Sequence, residues 1–205
     1  MPFVNSGVYI YTTEKERSYE IETSYYLEFQ IRSALISIEK LRNHNDDMFD
    51  NKFQYYHFYT DHLLYSLGQI SNRFIEGNKD RKLVIERKKS NCRDFEFNSY
   101  KYPYLSNKVG RNTIEHIDEH NQNIIEIRRG VGGFNLIDSE TESDLIDVFR
   151  TKRHTHPYTL DLLSFEILIV RQEKEININI DDLESELKTL YDRVIYVKEQ
   201  VRQIF

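Results

Sequence analysis

The residues best suited to chemistry lie close together in the run RNTIEHIDEH, positions 111 to 120. Arg111 has a permanently charged, forked guanidinium group that suits the oxygens of a phosphate. A histidine such as His116 ordinarily titrates near neutral pH, so it can give or take a proton. Asn112 can donate or accept a hydrogen bond and can hold either the imidazole or a phosphate oxygen. These residue types fit proton transfer at a phosphate ester.

The spacing of these residues suits one face of a helix. We predict a helix from a cap at Ser106 or Asn107 to about position 121. Because each helical residue advances about 100 degrees, Asn112, His116 and His120 fall close to one stripe. The first turns of a helix also present backbone N–H groups that favour an anion. The placement suits a phosphate ligand, and it equally suits a well-capped helix without a ligand.

An ordinary surface helix explains the same residues. Arg111 and Glu115 have the i, i+4 spacing of a solvated ion pair, and the histidines can simply lie on the surface. His116 and His120 are also spaced like helix-borne metal ligands, but the H-E-x-x-H string of zinc proteases is absent. Spacing alone therefore favours the surface helix, and a metal site is the weaker interpretation.

The longer string RNTIEHIDE resembles the R-N-x-hydrophobic-E-H-hydrophobic-D-E signature of many bacterial members of the HEPN superfamily. The resemblance implies a mainly α fold, built as a HEPN-like helical bundle. It also implies a metal-independent RNA endonuclease that acts as a homodimer and cleaves through attack of the RNA 2′-hydroxyl. Arg111, Asn112 and His116 would be catalytic in such an enzyme. Glu115 and His120 would support them, and no cofactor or metal is implied.

The resemblance leaves a second function open, because some members of the superfamily do not cleave RNA. The alternative prediction is a non-catalytic, HEPN-like interaction or nucleotide-sensing module in stress or phage defence. A second copy of the chain is the expected partner, and an antitoxin or another protein is a further candidate. RNA is the partner expected of the enzyme.

Two basic segments are candidates for contact with an RNA backbone. The run RTKRHTHP, 150–157, contains Lys152, Arg153 and His154 and precedes a predicted β-hairpin. A second basic set lies earlier in the chain and comprises Arg81, Lys82, Arg87, Lys88 and Lys89. Charge runs are usually exposed to solvent, so a solvated segment is the preferred interpretation of both on sequence alone.

Hydrophobic periodicity predicts three helices in the first half of the chain. Apolar residues recur at helical spacing over 16–43, and again in a second helix that continues to Gly77. A third, more charged helix is predicted over 80–97. The first two should form an antiparallel pair, because each has an apolar stripe that needs a partner.

The second half of the chain combines strand and helix patterns. FNLID is a short strand candidate, and the run LLSFEILIV is followed by alternating isoleucines, which predicts a β-hairpin at about 160–180. Asp181, with Glu184 three residues later, predicts a capping box at the start of a last helix with a heptad of Leu and Val. The expected fold is therefore mainly α, one domain over 1–205, with a β-hairpin elaboration before the C-terminal helix.

Composition limits the function further. The net charge of −6 argues against a non-specific nucleic-acid coat, although local basic patches can still occur. The single cysteine, Cys92, cannot form an internal disulfide, and no membrane span or leader is evident, so we expect a cytoplasmic protein. The 15 Tyr and 12 Phe residues are expected to fill a core or an interface more often than to stack on bases.

Overall fold

The computed structural model describes residues 3–5, 8–10, 14–44, 49, 51–107, 134–138, 158–171 and 174–203. Four helices lie within these ranges: α1 (Glu14–Arg42), α2 (Lys52–Ser71), α3 (Lys82–Asp94) and α4 (Ile180–Gln203). The strands in the same ranges are β1 (Phe3–Asn5), β2 (Val8–Ile10), β3 (Phe134–Ile137), β4 (Tyr158–Asp161), β5 (Glu166–Arg171) and β6 (Lys174–Asn179). Among these helices, none combines the length and the apolarity needed to cross a lipid bilayer.

The helical core is built on α1, which contacts both α2 and α4. Its buried side chains recur at intervals of three and four residues, as a helix covered on two sides requires. They are Leu27, Ile31, Ala34, Ile38 and Leu41. The heptad of α4 is fully buried as well, at Leu183, Leu187, Leu190, Val194, Val197 and Val201. Each such side chain contributes about 1.5–3 kcal/mol on burial, and the predicted packing of this heptad within the chain is confirmed.

The predicted β-hairpin is present and is part of a larger sheet. β5 and β6 pair antiparallel, with Ile169 opposite Ile176. β4 pairs antiparallel with β5, and β3 pairs parallel with β4, so the sheet order is β3-β4-β5-β6. Inward residues such as Ile167 join the hydrophobic cluster of the helices. The expected hairpin elaboration is therefore incomplete, since the fold combines helices with a four-stranded mixed sheet.

Two helix ends differ from those that the sequence patterns predicted. The first is the end of α2. α2 ends at Ser71, six positions before the predicted stop at Gly77. The Gly77 N–H instead donates to Asp80 Oδ2 at 2.7 Å, inside the turn that leads to α3. Gly77 therefore belongs to this turn and does not terminate the helix.

The start of α4 is the second correction. Asn179 caps this helix, because its side-chain oxygen accepts the Asp182 N–H at 3.0 Å. Glu184 does not return to the cap as the predicted capping box requires. Its carboxylate pairs with Arg42 of α1 at 2.7 Å and with Lys188 at 2.6 Å. The glutamate that the pattern assigned to a capping box instead forms an ion pair between α4 and α1.

Candidate functional site

The residues predicted from the sequence lie outside the described part of the chain. They are Arg111, Asn112, Glu115, His116 and His120 of the RNTIEH segment, and Lys152, Arg153 and His154 of the basic run. Their mutual distances and partners therefore stay predictions. The described residues show how the chain is held before these segments and where the strands that follow them begin.

Glu186 of α4 holds the chain shortly before Arg111. Its carboxylate accepts the backbone N–H groups of Tyr104 at 3.0 Å and Leu105 at 3.1 Å. Ser71 of α2 donates its hydroxyl to the Leu105 carbonyl at 2.6 Å. Burial raises the pKa of the Glu186 carboxyl, and the two N–H donors oppose this effect. The end of the described segment 51–107 is thus fixed against both α2 and α4.

Arg193 makes a second contact between α4 and this segment. Its guanidinium donates to the Asp94 carbonyl from Nε at 3.2 Å and from Nη2 at 2.8 Å. It also pairs with Glu96 at 3.2 Å. Glu96 has a φ of 52°, a left-handed conformation that costs energy for a residue with a Cβ. The Arg193 contacts hold the chain in the turn that follows α3.

His57, Asp61 and Tyr158 form a polar cluster where α2 meets the sheet. His57 Nε2 lies 3.4 Å from Asp61 Oδ2, one helical turn away. Tyr158 is 1% exposed and donates its hydroxyl hydrogen to Asp61 Oδ1. Burial raises the pKa of Asp61, and the neighbouring His57 opposes this effect. Each oxygen of the Asp61 carboxylate therefore has its own neighbour, one on α2 and one on β4.

Aromatic rings cover one side of the His57–Asp61–Tyr158 cluster. The His57 ring stacks on Phe134, with ring centroids 4.9 Å apart and an angle of 7° between the planes. Phe53 lies beside Phe134 at 5.2 Å between centroids. The His57 side chain is nevertheless 41% exposed, so solvent reaches it. The ring contacts therefore hold His57 against the start of β3 and leave part of the imidazole in solvent.

The cluster lies at the first residues of the two strands that follow the predicted segments in the sequence. Phe134 is the first residue of β3 and Tyr158 is the first residue of β4, and the two strands are parallel. Residues 111–120 precede β3 in the sequence, and residues 152–154 precede β4. Both strands therefore begin beside His57.

Sequence reasoning did not single out the His57–Asp61–Tyr158 cluster. His57 and Asp61 stand four positions apart in HFYTD, a spacing that can be read from the sequence. Tyr158 is 97 positions from Asp61, and no local pattern predicts that contact. Three or more His, Cys, Asp or Glu side chains arranged to hold a metal ion are not found within the described ranges.

The described residues define a mixed helix and sheet protein, in which a helical core carries a four-stranded sheet. Comparisons with protein-family models, with curated proteins and with solved structures find no match to this chain. The functional assignment therefore depends on the chemistry of its own residues.

Proposed function

We propose that this chain is a metal-independent RNA endonuclease of HEPN type that acts as a homodimer. The observation that carries the proposal is the string RNTIEHIDE, in which Arg111, Asn112 and His116 have the spacing of the superfamily signature. Glu115 and His120 support these residues, and Lys152, Arg153 and His154 are candidate contacts of the RNA backbone.

The proposed reaction uses the 2′-hydroxyl of the RNA as the nucleophile. His116 of one subunit takes the 2′-hydroxyl proton, and the 2′-oxygen then attacks the neighbouring phosphorus. The bond to the 5′-oxygen breaks, and the second subunit's histidine gives that oxygen a proton. Arg111 stabilises the negative charge on the phosphorane, and Asn112 orients the imidazole or a phosphate oxygen. The products are a 2′,3′-cyclic phosphate and a 5′-hydroxyl.

The described contacts before the signature support this proposal. Cleavage at phosphorus requires the base, the acid and the phosphate to be held within a fraction of an ångström of their reacting positions. The Glu186 carboxylate fixes the backbone at Tyr104 and Leu105, seven and six residues before Arg111 in the sequence. A rigid attachment at this point suits a segment that must present a catalytic arginine and histidine.

The proposed chemistry is tested with a substrate that lacks the nucleophile. An RNA that the protein cuts at one position is compared with the same RNA carrying 2′-deoxyribose at that position, with a metal chelator in both reactions. We expect cleavage of the all-RNA strand to a 2′,3′-cyclic phosphate and no cleavage of the modified strand. Equal cleavage of both strands would exclude attack by the 2′-hydroxyl.

A second candidate function is favoured by an exposed apolar surface on α1 and α2. Its large side chains are Phe29 (65% exposed), Ile36 (54%), Phe58 (47%) and Tyr65 (51%). The two helices are joined by a hydrogen bond between Ser37 Oγ and His62 Nδ1 at 2.9 Å. Exposed apolar side chains seven positions apart on each of two paired helices fit a protein interaction site. The surface therefore fits a non-catalytic interaction module that binds a second copy or an antitoxin-like protein.

Oligomeric state and cleavage together separate the two functions. The variant Phe29→Ser, Tyr65→Ser is compared with Leu83→Ser, which changes an apolar residue of similar exposure on α3. An interaction module that pairs with itself predicts a dimer lost only in the first variant, with no RNA cleavage by the wild type. A wild type that cleaves RNA would contradict the module.

A further inference from the structure

The outer face of α3 carries positive side chains in a line. Lys82, Lys89 and Arg93 are all exposed and stand seven and four positions apart, so they lie on one side of the helix, where the exposed Glu86 also lies between Lys82 and Lys89. We call these three residues the α3 cationic row. At the helical rise per residue, the row extends over about 16 Å.

The polar inner face of α3 fixes the direction of this row. Lys88 Nζ donates to the Ile75 carbonyl and pairs with Asp80, both at 2.8 Å. Asn91 Nδ2 donates to the Arg73 carbonyl at 2.7 Å. Because these inner side chains attach α3 to the residues after α2, the helix cannot rotate without breaking buried hydrogen bonds. The cationic row is therefore held toward solvent.

The charge of this region is opposite to that of the whole chain. Between Glu76 and Asp94 there are seven Lys and Arg residues and four carboxylates, whereas the net charge of the protein is −6. Two of the carboxylates are engaged on the inner side: Asp80 with Lys88, and the buried Asp94 with Ser90. The exposed surface of the region is accordingly more positive than its sequence count indicates.

Two exposed carboxylates, Glu76 and Glu86, lie among the six exposed Lys and Arg residues of this region. Lys89 lies 3.6 Å from Glu76, and both side chains are largely exposed, so this pair contributes little. Neither Lys82 nor Arg87 forms an ion pair with any residue in the described ranges. These cations are available to an anion from solution.

Two arginines, one on α3 and one after α2, stack on tyrosines of α1. The Arg87 guanidinium lies over the Tyr19 ring at 4.7 Å, and the Arg73 guanidinium lies over the Tyr26 ring at 4.0 Å. A guanidinium that stacks on an aromatic ring keeps its N–H donors in the plane, where they can bind a phosphate. Extended rows of cations with nearby aromatic groups are characteristic of proteins that bind single-stranded nucleic acid.

We propose that the α3 cationic row binds the phosphate backbone of single-stranded RNA. The inference rests on the proposed function and adds a binding surface for its substrate, distant in sequence from the signature. Binding through this row depends on charge and is independent of base sequence, because lysines at phosphates read no base edges. The contact releases counterions, so the affinity falls steeply as salt rises.

The test measures binding without cleavage. A labelled single-stranded RNA with 2′-O-methyl riboses cannot be cut by its own 2′-hydroxyl, and its affinity is measured by fluorescence anisotropy over a range of salt concentrations. The variant Lys82→Ala, Lys89→Ala is compared with Lys101→Ala, Lys188→Ala, which removes the same charge from exposed lysines elsewhere. Circular dichroism and thermal unfolding verify that both variants are folded.

We expect the row variant to reduce the slope of log affinity against log salt by roughly 1.4, as two lost contacts to a single strand require. The control variant should keep the wild-type slope, and Lys82→Arg, Lys89→Arg should bind like the wild type. Equal losses in the row and control variants, or no binding by the wild type, would overturn the inference. Binding that depends on the row in a protein that cleaves no RNA would remove the nuclease proposal and keep the row.

Discussion

Two neighbouring lysines on opposite faces of α3, Lys88 and Lys89, have different environments. The Lys88 side chain is 8% exposed and has two partners at 2.8 Å, the Asp80 carboxylate and the Ile75 carbonyl. The Lys89 side chain is 65% exposed, and its ion pair with Glu76, the one it forms within the described ranges, is long and solvated. Position on the helix therefore decides whether a lysine maintains the fold or remains available to a ligand. A count of the basic residues in a sequence run therefore overestimates the exposed positive charge, because some of these side chains point inward.

The largest expected effect tests this comparison directly. Lys88→Ala removes the ammonium group that pairs with the Asp80 carboxylate and donates to the Ile75 carbonyl, so the free energy of unfolding should fall by about 2–3 kcal/mol. Lys89→Ala should change it by less than about 0.5 kcal/mol. Urea unfolding of both variants measures the difference. Similar losses from the two substitutions would show that the inner and outer faces are not distinct.

A smaller effect is expected at the cluster between α2 and the sheet. Tyr158→Phe removes the hydroxyl that donates to Asp61 and leaves the ring in place. We expect a loss of about 1–2 kcal/mol in the free energy of unfolding, because a partly buried carboxylate loses a donor. Tyr191→Phe is a suitable control, since its hydroxyl accepts from the exposed Arg32. If both variants show the same small loss in the free energy of unfolding, the Asp61 hydrogen bond does not stabilise the contact of α2 with β4.

The smallest effect concerns two glutamates two positions apart on α4. Burial raises the pKa of Glu186, so its contribution to stability is full at acidic pH and is lost as pH rises through its folded-state pKa. Hydrogen bonds from Lys188 and Arg42 lower the pKa of Glu184, so its contribution is present at neutral pH and is lost as pH falls. The two carboxylates thus respond to pH with opposite sign.

Unfolding of Glu186→Gln and Glu184→Gln over a range of pH measures this difference. The stability gap between the wild type and Glu186→Gln should be more favourable to the wild type below about pH 4.3 than at neutral pH. The gap for Glu184→Gln should change in the reverse direction. Parallel pH profiles for the two variants would contradict the assignment of opposite shifts.

Local periodicity predicted those parts of the fold that depend on local contacts. The apolar stripe of α1 and the alternating isoleucines of β6 gave both elements nearly at their observed bounds, whereas β5 begins at Glu166, four residues into the apolar run LLSFEILIV. The parallel pairing of β3 with β4 was not predictable, because it joins four-residue strands across a long connection. The end at Gly77 was misplaced because that residue belongs to the turn before α3, and the capping box at Asp181 was wrong because Glu184 pairs with the distant Arg42.

The candidate sites divide in the same way. The signature at Arg111 and His116 is a local string, so the sequence displays it completely. Contacts with the Ile75 carbonyl and the Asp80 carboxylate fix the inward position of Lys88. The sequence pattern alone grouped Lys88 with the exposed basic residues. The contact of Asp61 with Tyr158 joins distant segments and required the fold. Residue types indicate chemistry, and only packing shows which groups remain accessible.

The central claim is that the RNTIEH segment cleaves RNA without a metal. The direct measurement is cleavage of varied RNA pools in the presence of a chelator, for the wild type, Arg111→Ala and His116→Ala, each verified as folded. His57→Ala serves as the matched histidine control, because His57 is the histidine held by a carboxylate in the described cluster. We predict cleavage by the wild type and by His57→Ala, and its loss in the other two variants. Activity that survives in Arg111→Ala and His116→Ala, or a folded wild type that cuts no RNA, would contradict the claim.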